Sequence, residues 1–177
     1  MRTLKHGFVI GLLGSGVVSF STHADLVGTF SVGEGDSNAS LQFDFLDGNS
    51  FLIDIAWDGE LTGRQAFDLI NAEGQAFSFE FQYESYSFGD FLTGVNIENS
   101  YNYGTGTPPD YVDTWHYWTA EADDAWMLSS IGFSDRVLAN GSRDAWVFGT
   151  NDGPFQIPAP ATLALFGLLP IGRKRRR

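Results

Sequence analysis

Apolar and polar residues alternate over Leu41-Gln42-Phe43-Asp44-Phe45 and again over Phe51-Leu52-Ile53-Asp54-Ile55-Ala56-Trp57. A period of two puts successive side chains on opposite faces of an extended chain, so both segments predict strands with one buried face. Asp47-Gly48-Asn49 lies between them and has turn chemistry, which joins the two strands as a hairpin. Phe77-Ser78-Phe79-Glu80-Phe81-Gln82-Tyr83 alternates as cleanly and predicts a strand with one dry and one wet face. Further strands are predicted at Phe91 to Ile97, at Trp115 to Thr119, and at Ala125 to Leu128. The last two form a pair across Glu121-Ala122-Asp123-Asp124, and Ala145-Trp146-Val147-Phe148 closes the series. Asn99 to Asp113, rich in Tyr, Gly, Thr and Pro, reads as a long loop, and no internal repeat is evident.

The period changes between Gly63 and Glu73. Ala66, Phe67, Leu69 and Ile70 make an apolar stripe at helical spacing. Thr62 and Gln65 form a capping-box pattern, in which each side chain satisfies a free backbone N–H at the helix start. Gly74 is placed to end the helix in the left-handed conformation. One helix on a mainly antiparallel sheet is an α+β plan.

Both ends of the chain read as addresses. Met1 to Ala24 carries Arg2 and Lys5, then an apolar stretch from Gly7 to Phe20, then Thr22-His23-Ala24 with small residues at the last and third-last positions. This is the layout of a secretory signal peptide cut before Asp25, which implies the Sec translocon and signal peptidase as partners. The alternative is a transmembrane helix, but Gly11, Gly14 and Gly16 interrupt a short run. At the other end Ile157-Pro158-Ala159-Pro160-Ala161-Thr162 is followed by an apolar run to Gly172 and by Arg173-Lys174-Arg175-Arg176-Arg177. Ala161 to Gly172 would make about 18 Å of helix, against a hydrocarbon core of about 30 Å. Such a segment stops in a bilayer more readily than it stays there, with its basic end on the cytoplasmic side. A retained anchor is the alternative.

This three-part tail resembles the PEP-CTERM sorting signal of Gram-negative bacteria. Ala159 stands where that family usually has Glu. The resemblance implies recognition through Pro158, Ala159, Pro160, Ala161 and Thr162 by exosortase, a membrane protease. The basic cluster Arg173, Lys174, Arg175, Arg176 and Arg177 would follow a C-terminal apolar helix that enters the inner membrane transiently. The implied destination is the cell surface or extracellular matrix. Setting both addresses aside leaves residues 25–157, one domain by length.

The charge of that middle differs from that of the chain. The full sequence carries −12, but all 22 acidic residues fall within residues 25–157, beside only Arg64, Arg136 and Arg143, for a formal −19. No lysine lies there, which excludes lysine catalysis and lysine isopeptide staples. Such a surface repels nucleic acid and anionic lipid, and attracts divalent cations or basic partners. Solubility is the plainer account of the same charge. The chain has no cysteine, so stability must come from the core, for which five tryptophans and six tyrosines, all between Trp57 and Trp146, supply material.

A second resemblance covers about Leu61 to Gly149. It runs through Leu61-Thr62-Gly63-Arg64-Gln65-Ala66-Phe67-Asp68-Leu69-Ile70, then Phe88-Gly89-Asp90-Phe91-Leu92-Thr93-Gly94-Val95, then Trp115-His116-Tyr117-Trp118, Trp126 and Ile131-Gly132. It ends on Leu138-Ala139-Asn140-Gly141-Ser142-Arg143-Asp144-Ala145-Trp146-Val147-Phe148-Gly149. The order is similar to the transcobalamin-like carboxyl-terminal domain, a β-grasp-type module of secreted proteins. Asn140-Gly141 stands where that family has Asp-Gly. The resemblance implies a β-grasp-like sheet. No ligand-binding residue maps onto this chain, so no cofactor is expected.

Candidate chemistry is sparse. His116 is the one histidine of residues 25–157, too few for a zinc site, and no nucleophile-elbow pattern accompanies it. With 22 acids, sequence separation picks out no carboxylate pair for glycoside hydrolysis. Asp123-Asp124 and Asp47-Gly48-Asn49 are the calcium candidates, without the spacing of a known ligand loop, and solvated turns are the plainer reading. No metal site is therefore assigned. Asn38-Ala39-Ser40 and Asn140-Gly141-Ser142 are short sequons with little weight. The aromatic group Trp115, Tyr117, Trp118, Trp126 and Trp146 is either core or a stacking platform for sugar rings. Alternation puts Trp115 and Tyr117 on one face and His116 and Trp118 on the other. The sequence thus reads as a secreted, non-enzymatic surface or matrix protein, with a carbohydrate-binding module for extracellular polysaccharide as the alternative and a hydrolase third.

Overall fold

Two β-sheets and one helix emerge from the alternation, in a computed structural model that describes residues 24–87, 89–109 and 111–157. The strands are β1 (Asp25–Val32), β2 (Ser37–Asp44), β3 (Asn49–Trp57), β4 (Phe79–Tyr86), β5 (Gly89–Ile97), β6 (Ser100–Tyr103), β7 (Trp115–Ala120), β8 (Met127–Leu128) and β9 (Ser142–Phe148). The helix α1 (Gly63–Glu73) follows β3. One sheet has the order β1-β3-β2-β9-β7-β8 and the other β4-β5-β6. Five of the seven strand pairings are antiparallel; β1 with β3 and β2 with β9 are parallel. The fold is β-rich with one packed helix, as an α+β plan requires. The expected signal peptide lies outside the described residues up to residue 23. So do the C-terminal apolar helix and the sorting motif at 158–177.

The β2–β3 hairpin forms as expected, in a register that sets Leu41 opposite Ile53 and Phe43 opposite Phe51. What the period did not reveal is β1, which pairs with the far edge of β3. To reach β2 the chain must cross the end of β3 within four residues. Gly33 and Gly35 make the crossing, with φ of +77° and +154°. A Cβ on Gly33 would lie 2.3 Å from the Ala56 carbonyl oxygen, and one on Gly35 2.1 Å from the Trp57 carbonyl carbon. Only glycine fits so close to a neighbouring backbone.

The capping box at α1 is complete. Thr62 N donates to Gln65 Oε1 at 2.9 Å, and Gln65 N donates to Thr62 Oγ1 at 3.3 Å. Gly74 ends the helix differently from expectation. Its φ of −70° and ψ of 50° are not left-handed, and its N–H bonds the Ile70 carbonyl within the last turn. Ala66, Phe67 and Ile70 are fully buried, so the helical stripe faces the core as predicted. Phe67 sits between the sheets. Its ring centroid is 4.8 Å from Trp146 and 5.6 Å from Phe43 of the large sheet, and 5.6 and 5.2 Å from Phe79 and Phe81 of the small one. Phe133 stacks on it at 4.9 Å.

The stretch read as a loop at Asn99 to Asp113 contains β6. Its inward residues tie the small sheet to the hairpin turn of the large one. Ser100 Oγ donates to Asp47 Oδ2 at 2.8 Å, and Leu46 N donates to Asn102 Oδ1 at 2.9 Å. At four residues the strand is too short for its alternation to stand out among Gly, Thr and Pro.

Replacing Phe67 by Ala removes the ring that both sheets share. The unfolding free energy should fall by about 3–5 kcal/mol, whereas Thr62→Ala should cost about 1 kcal/mol as a lost cap. Chemical denaturation of the two variants side by side reads the difference. Equal midpoints for Phe67→Ala and the parent would show that Phe67 does not join the sheets.

Candidate functional site

The pairing of β7 with β9 decides where the aromatic candidates go. Trp115 lies opposite Phe148, Tyr117 opposite Trp146, and Trp118 opposite Ala145. Parity turns Trp115, Tyr117, Trp146 and Phe148 toward α1, while His116 and Trp118 face the other way. Trp146 is 1% exposed, stacked between Tyr117 at 4.8 Å and Phe43 at 5.1 Å. Trp115 is 3% exposed and meets Phe45 and Phe148 edge-on, each at 5.2 Å. These two rings are core, and the five aromatic residues do not form one surface. Trp118 and Trp126 are half-buried. The Arg143 guanidinium lies 4.8 Å from the centre of the Trp126 ring, and its Nη2 donates to the Asp124 carbonyl at 2.5 Å.

Asp144 of β9 is fully buried beneath this row. Arg136 Nε donates to both of its oxygens, at 2.9 and 3.1 Å, and the Tyr117 hydroxyl donates to Oδ2. Arg136 also reaches Glu121 Oε1 from Nη2 at 2.9 Å. Burial pushes the Asp144 carboxyl above its ordinary value, against the opposing pull of the Tyr117 hydrogen bond and the Arg136 charge. Burial, reinforced by Asp144, pushes the Tyr117 hydroxyl well above 10. A buried carboxylate fed by three donor contacts is a brace, since removing one partner would strand the other charge. The same Arg136 accepts from Gly63 N at its carbonyl, at 2.9 Å, so the brace also holds the start of α1.

The one histidine of residues 25–157, His116, lines one cleft with Ser129 and Ser130. Its Nε2 is buried without a hydrogen-bond partner among the described residues, and burial lowers its pKa below the ordinary histidine value. The cleft, of about 370 Å³, opens between β5, β7 and residues 128–133. Leu92, Phe133 and the core rings of β7 and β9 give it mostly apolar walls, with Asp90, Ser129 and Ser130 as polar lining.

The two calcium candidates differ, and only the carboxylate of Asp47 is taken up by neighbouring donors. Asp47 accepts from Asn49 N at 2.9 Å, from Asn49 Nδ2 at 3.0 Å and from Ser100 Oγ at 2.8 Å. Asp123 and Asp124 lie exposed on a turn closed by Asp124 N donating to the Glu121 carbonyl at 2.8 Å. No group of three or more His, Asp or Glu residues among the described residues could hold a metal.

Two features escaped the sequence reading. The first is Asp44, a buried carboxylate on the sheet face away from α1. Gln42 Nε2 donates to it at 2.9 Å and Ser50 Oγ at 2.5 Å. Phe155 N donates to Asp44 Oδ2 at 2.8 Å, and the Phe155 carbonyl accepts from Gln42 Nε2 at 2.9 Å. Both backbone groups of one residue near the end of the domain are therefore gripped. Alternation marked Gln42 and Asp44 as the wet side of a strand, and no local signal says that a segment 111 residues away covers them. The second is the surface position of the tyrosines, of which Tyr83, Tyr86, Tyr101, Tyr103 and Tyr111 are all exposed.

With this geometry in hand, the comparisons add no relative. No protein-family model, no curated protein and no solved structure matches the chain.

The His116 environment makes a pH forecast. A folded-state pKa below the unfolded value of about 6.5 means that folding disfavours the charged ring. The stability due to the neutral ring is fully present above that pH and is lost as pH falls through the folded pKa. The thermal midpoint of the protein should therefore drop further between pH 7 and pH 5 than that of His116→Gln. Equal drops would remove His116 as the source.

Proposed function

We propose that the protein is an exported, non-enzymatic surface or extracellular-matrix protein of a Gram-negative cell. In this reading the Sec translocon and signal peptidase act on residues 1–24. An exosortase-like protease then acts at Pro158 to Thr162 while the tail rests in the inner membrane. The observation that carries the reading is the position of the two ends of the domain. Asp25 N donates to the Gly48 carbonyl at 2.8 Å, so the chain enters at the β2–β3 turn. Ala24 and Phe155 line the same cleft of about 650 Å³ beside that turn. Entry and exit are neighbours, and Asp44 with Gln42 holds the exit three residues before Pro158. Cuts before Asp25 and within Pro158 to Thr162 leave every one of these bonds intact. A body carrying −19 then separates from a basic tail.

We also infer a β-grasp-like core related to the transcobalamin-like carboxyl-terminal domain. Its support is the order β3-β2-β9-β7-β8, in which a hairpin, a helix and a returning strand parallel to the first strand of the hairpin follow in sequence. This core starts at Ser37 rather than Leu61, with β1 added at one edge and β4 to β6 inserted after the helix.

A second reading, a carbohydrate-binding module for extracellular polysaccharide, is favoured by the division of aromatic residues. The tryptophans are buried or half-buried, while five of the six tyrosines lie on the surface. Tyrosine rings offer an apolar face with a polar edge, which suits sugar rings.

Intact-mass analysis of protein released from the cell surface tests the first reading. The expected species begins at Asp25 and lacks Arg173 to Arg177. Mature protein that keeps the full basic tail would show a retained anchor and overturn the sorting step.

A further inference from the structure

The small sheet has one face in the core and one in solvent. Phe79, Val95 and Ile97 are buried, with Phe81 packed against them. On the other face the register aligns Glu80 with Asn96 and Tyr101, and Gln82 with Gly94 and Tyr103. Two rows of side chains thus cross three strands, and each row ends in a tyrosine on the edge strand β6. Tyr101 is 55% and Tyr103 50% exposed. Their outward direction is fixed from behind, because the alternate residues Ser100 and Asn102 are bonded to Asp47, Asn49 and Leu46 of the large sheet.

Gly94 makes this face flat. A Cβ there would lie 3.2 Å from Tyr103 Cδ2 and 3.3 Å from Gln82 Cβ. The tyrosine ring and the glutamine stem close over the bare backbone, as aromatic side chains do over glycine in a sheet. Two tyrosines two residues apart lie about 7 Å from each other along the strand, with the amides of Gln82 and Asn96 and the carboxylate of Glu80 beside them.

We propose that this outer face of β4–β6 binds an extended polysaccharide that carries free amino groups, with Tyr101 and Tyr103 as the stacking pair. The proposal deepens the carbohydrate-binding reading and rests on it. The rings meet the C–H faces of successive sugars, Gln82 and Asn96 meet hydroxyls, and Glu80 meets an ammonium. Charge selects the class of glycan. A domain at −19 repels a uronate or sulfated chain and attracts an aminated one, and an ammonium over a tyrosine face gains a cation–π contact. The same charge opposes a second copy of this chain pairing along β6.

The test uses the purified full chain, with glucosamine oligomers and N-acetylglucosamine oligomers of equal length as probes in titration calorimetry. The parent should bind the free amine form about tenfold more tightly than the acetylated form. Tyr101→Ser with Tyr103→Ser should weaken that binding by about tenfold or more, and Tyr101→Ser alone, which leaves Gly94 covered, should weaken it while the thermal midpoint stays put. Glu80→Gln should erase the preference for the free amine. If the tyrosine double variant binds like the parent, and Trp118→Ala or Trp126→Ala does not, the sheet-face proposal fails and the carbohydrate reading stands. If the parent binds neither glycan, both fail. A parent dimer that dissociates in the tyrosine double variant, without glycan binding, would assign the face to a second copy and overturn the proposal.

Discussion

The ring of Phe67 is the point at which every layer of this fold meets. It touches Phe43 and Trp146 on the large sheet, Phe79 and Phe81 on the small one, and Phe133 on the connection that closes over the helix. The chain has no cysteine, so no disulfide shares this task. A helix of 11 residues is too short to persist alone in water, and its capping box adds about 1 kcal/mol. The helix exists because its apolar stripe is buried, and the sheets stay together because that stripe ends in a ring large enough to reach both. Beneath it the Asp144–Arg136 brace sets the height of β9 against the start of the helix. Trp146 is two residues from Asp144, so the aromatic contact and the charge contact fix the same strand.

The parts that were legible are those whose partners are near in sequence. The β2–β3 hairpin, the strands around Trp115 and Phe91, and the Thr62–Gln65 cap announce themselves through period and spacing. Parity alone put Trp115 and Tyr117 on one face and His116 and Trp118 on the other. The rest depends on distant partners. Nothing local says that Asp25–Val32 runs parallel to β3, although Gly33 and Gly35 were a visible clue to a tight crossing. Gln42 and Asp44 looked like solvent positions until Phe155 covered them. The candidate surface moved for the same reason. The rings grouped as a stacking platform divide instead, because pairing with β9 turns Trp115 and Trp146 into the core and leaves Trp118 and Trp126 half-buried. The smaller tyrosines, in a stretch that read as loop, were left outside.

The acidic charge, the closeness of Ala24 to Phe155 and the exposed tyrosines suit the proposed function. A domain carrying −19 stays soluble by self-repulsion and pays for this in the cohesion its core must supply. The proposed export behind one terminus and release from the other would ask that the core survive both cuts. The grip of Asp44 and Gln42 on Phe155 meets that demand, since it stops short of Pro158. The outer face of β4–β6 presents the carboxylate of Glu80, the amides of Gln82 and Asn96 and the phenols of Tyr101 and Tyr103.

The central claim is that the junction around Phe67 makes both sheets one cooperative unit. Native-state hydrogen exchange tests it most directly, by comparing the Leu41 amide of the large sheet with the Val95 amide of the small one. If the claim holds, both amides exchange through the same global opening, with the same free energy and the same denaturant dependence. Val95 exchanging through a lower-energy opening while Leu41 stays protected would contradict it, and would show that the small sheet opens independently of the large one.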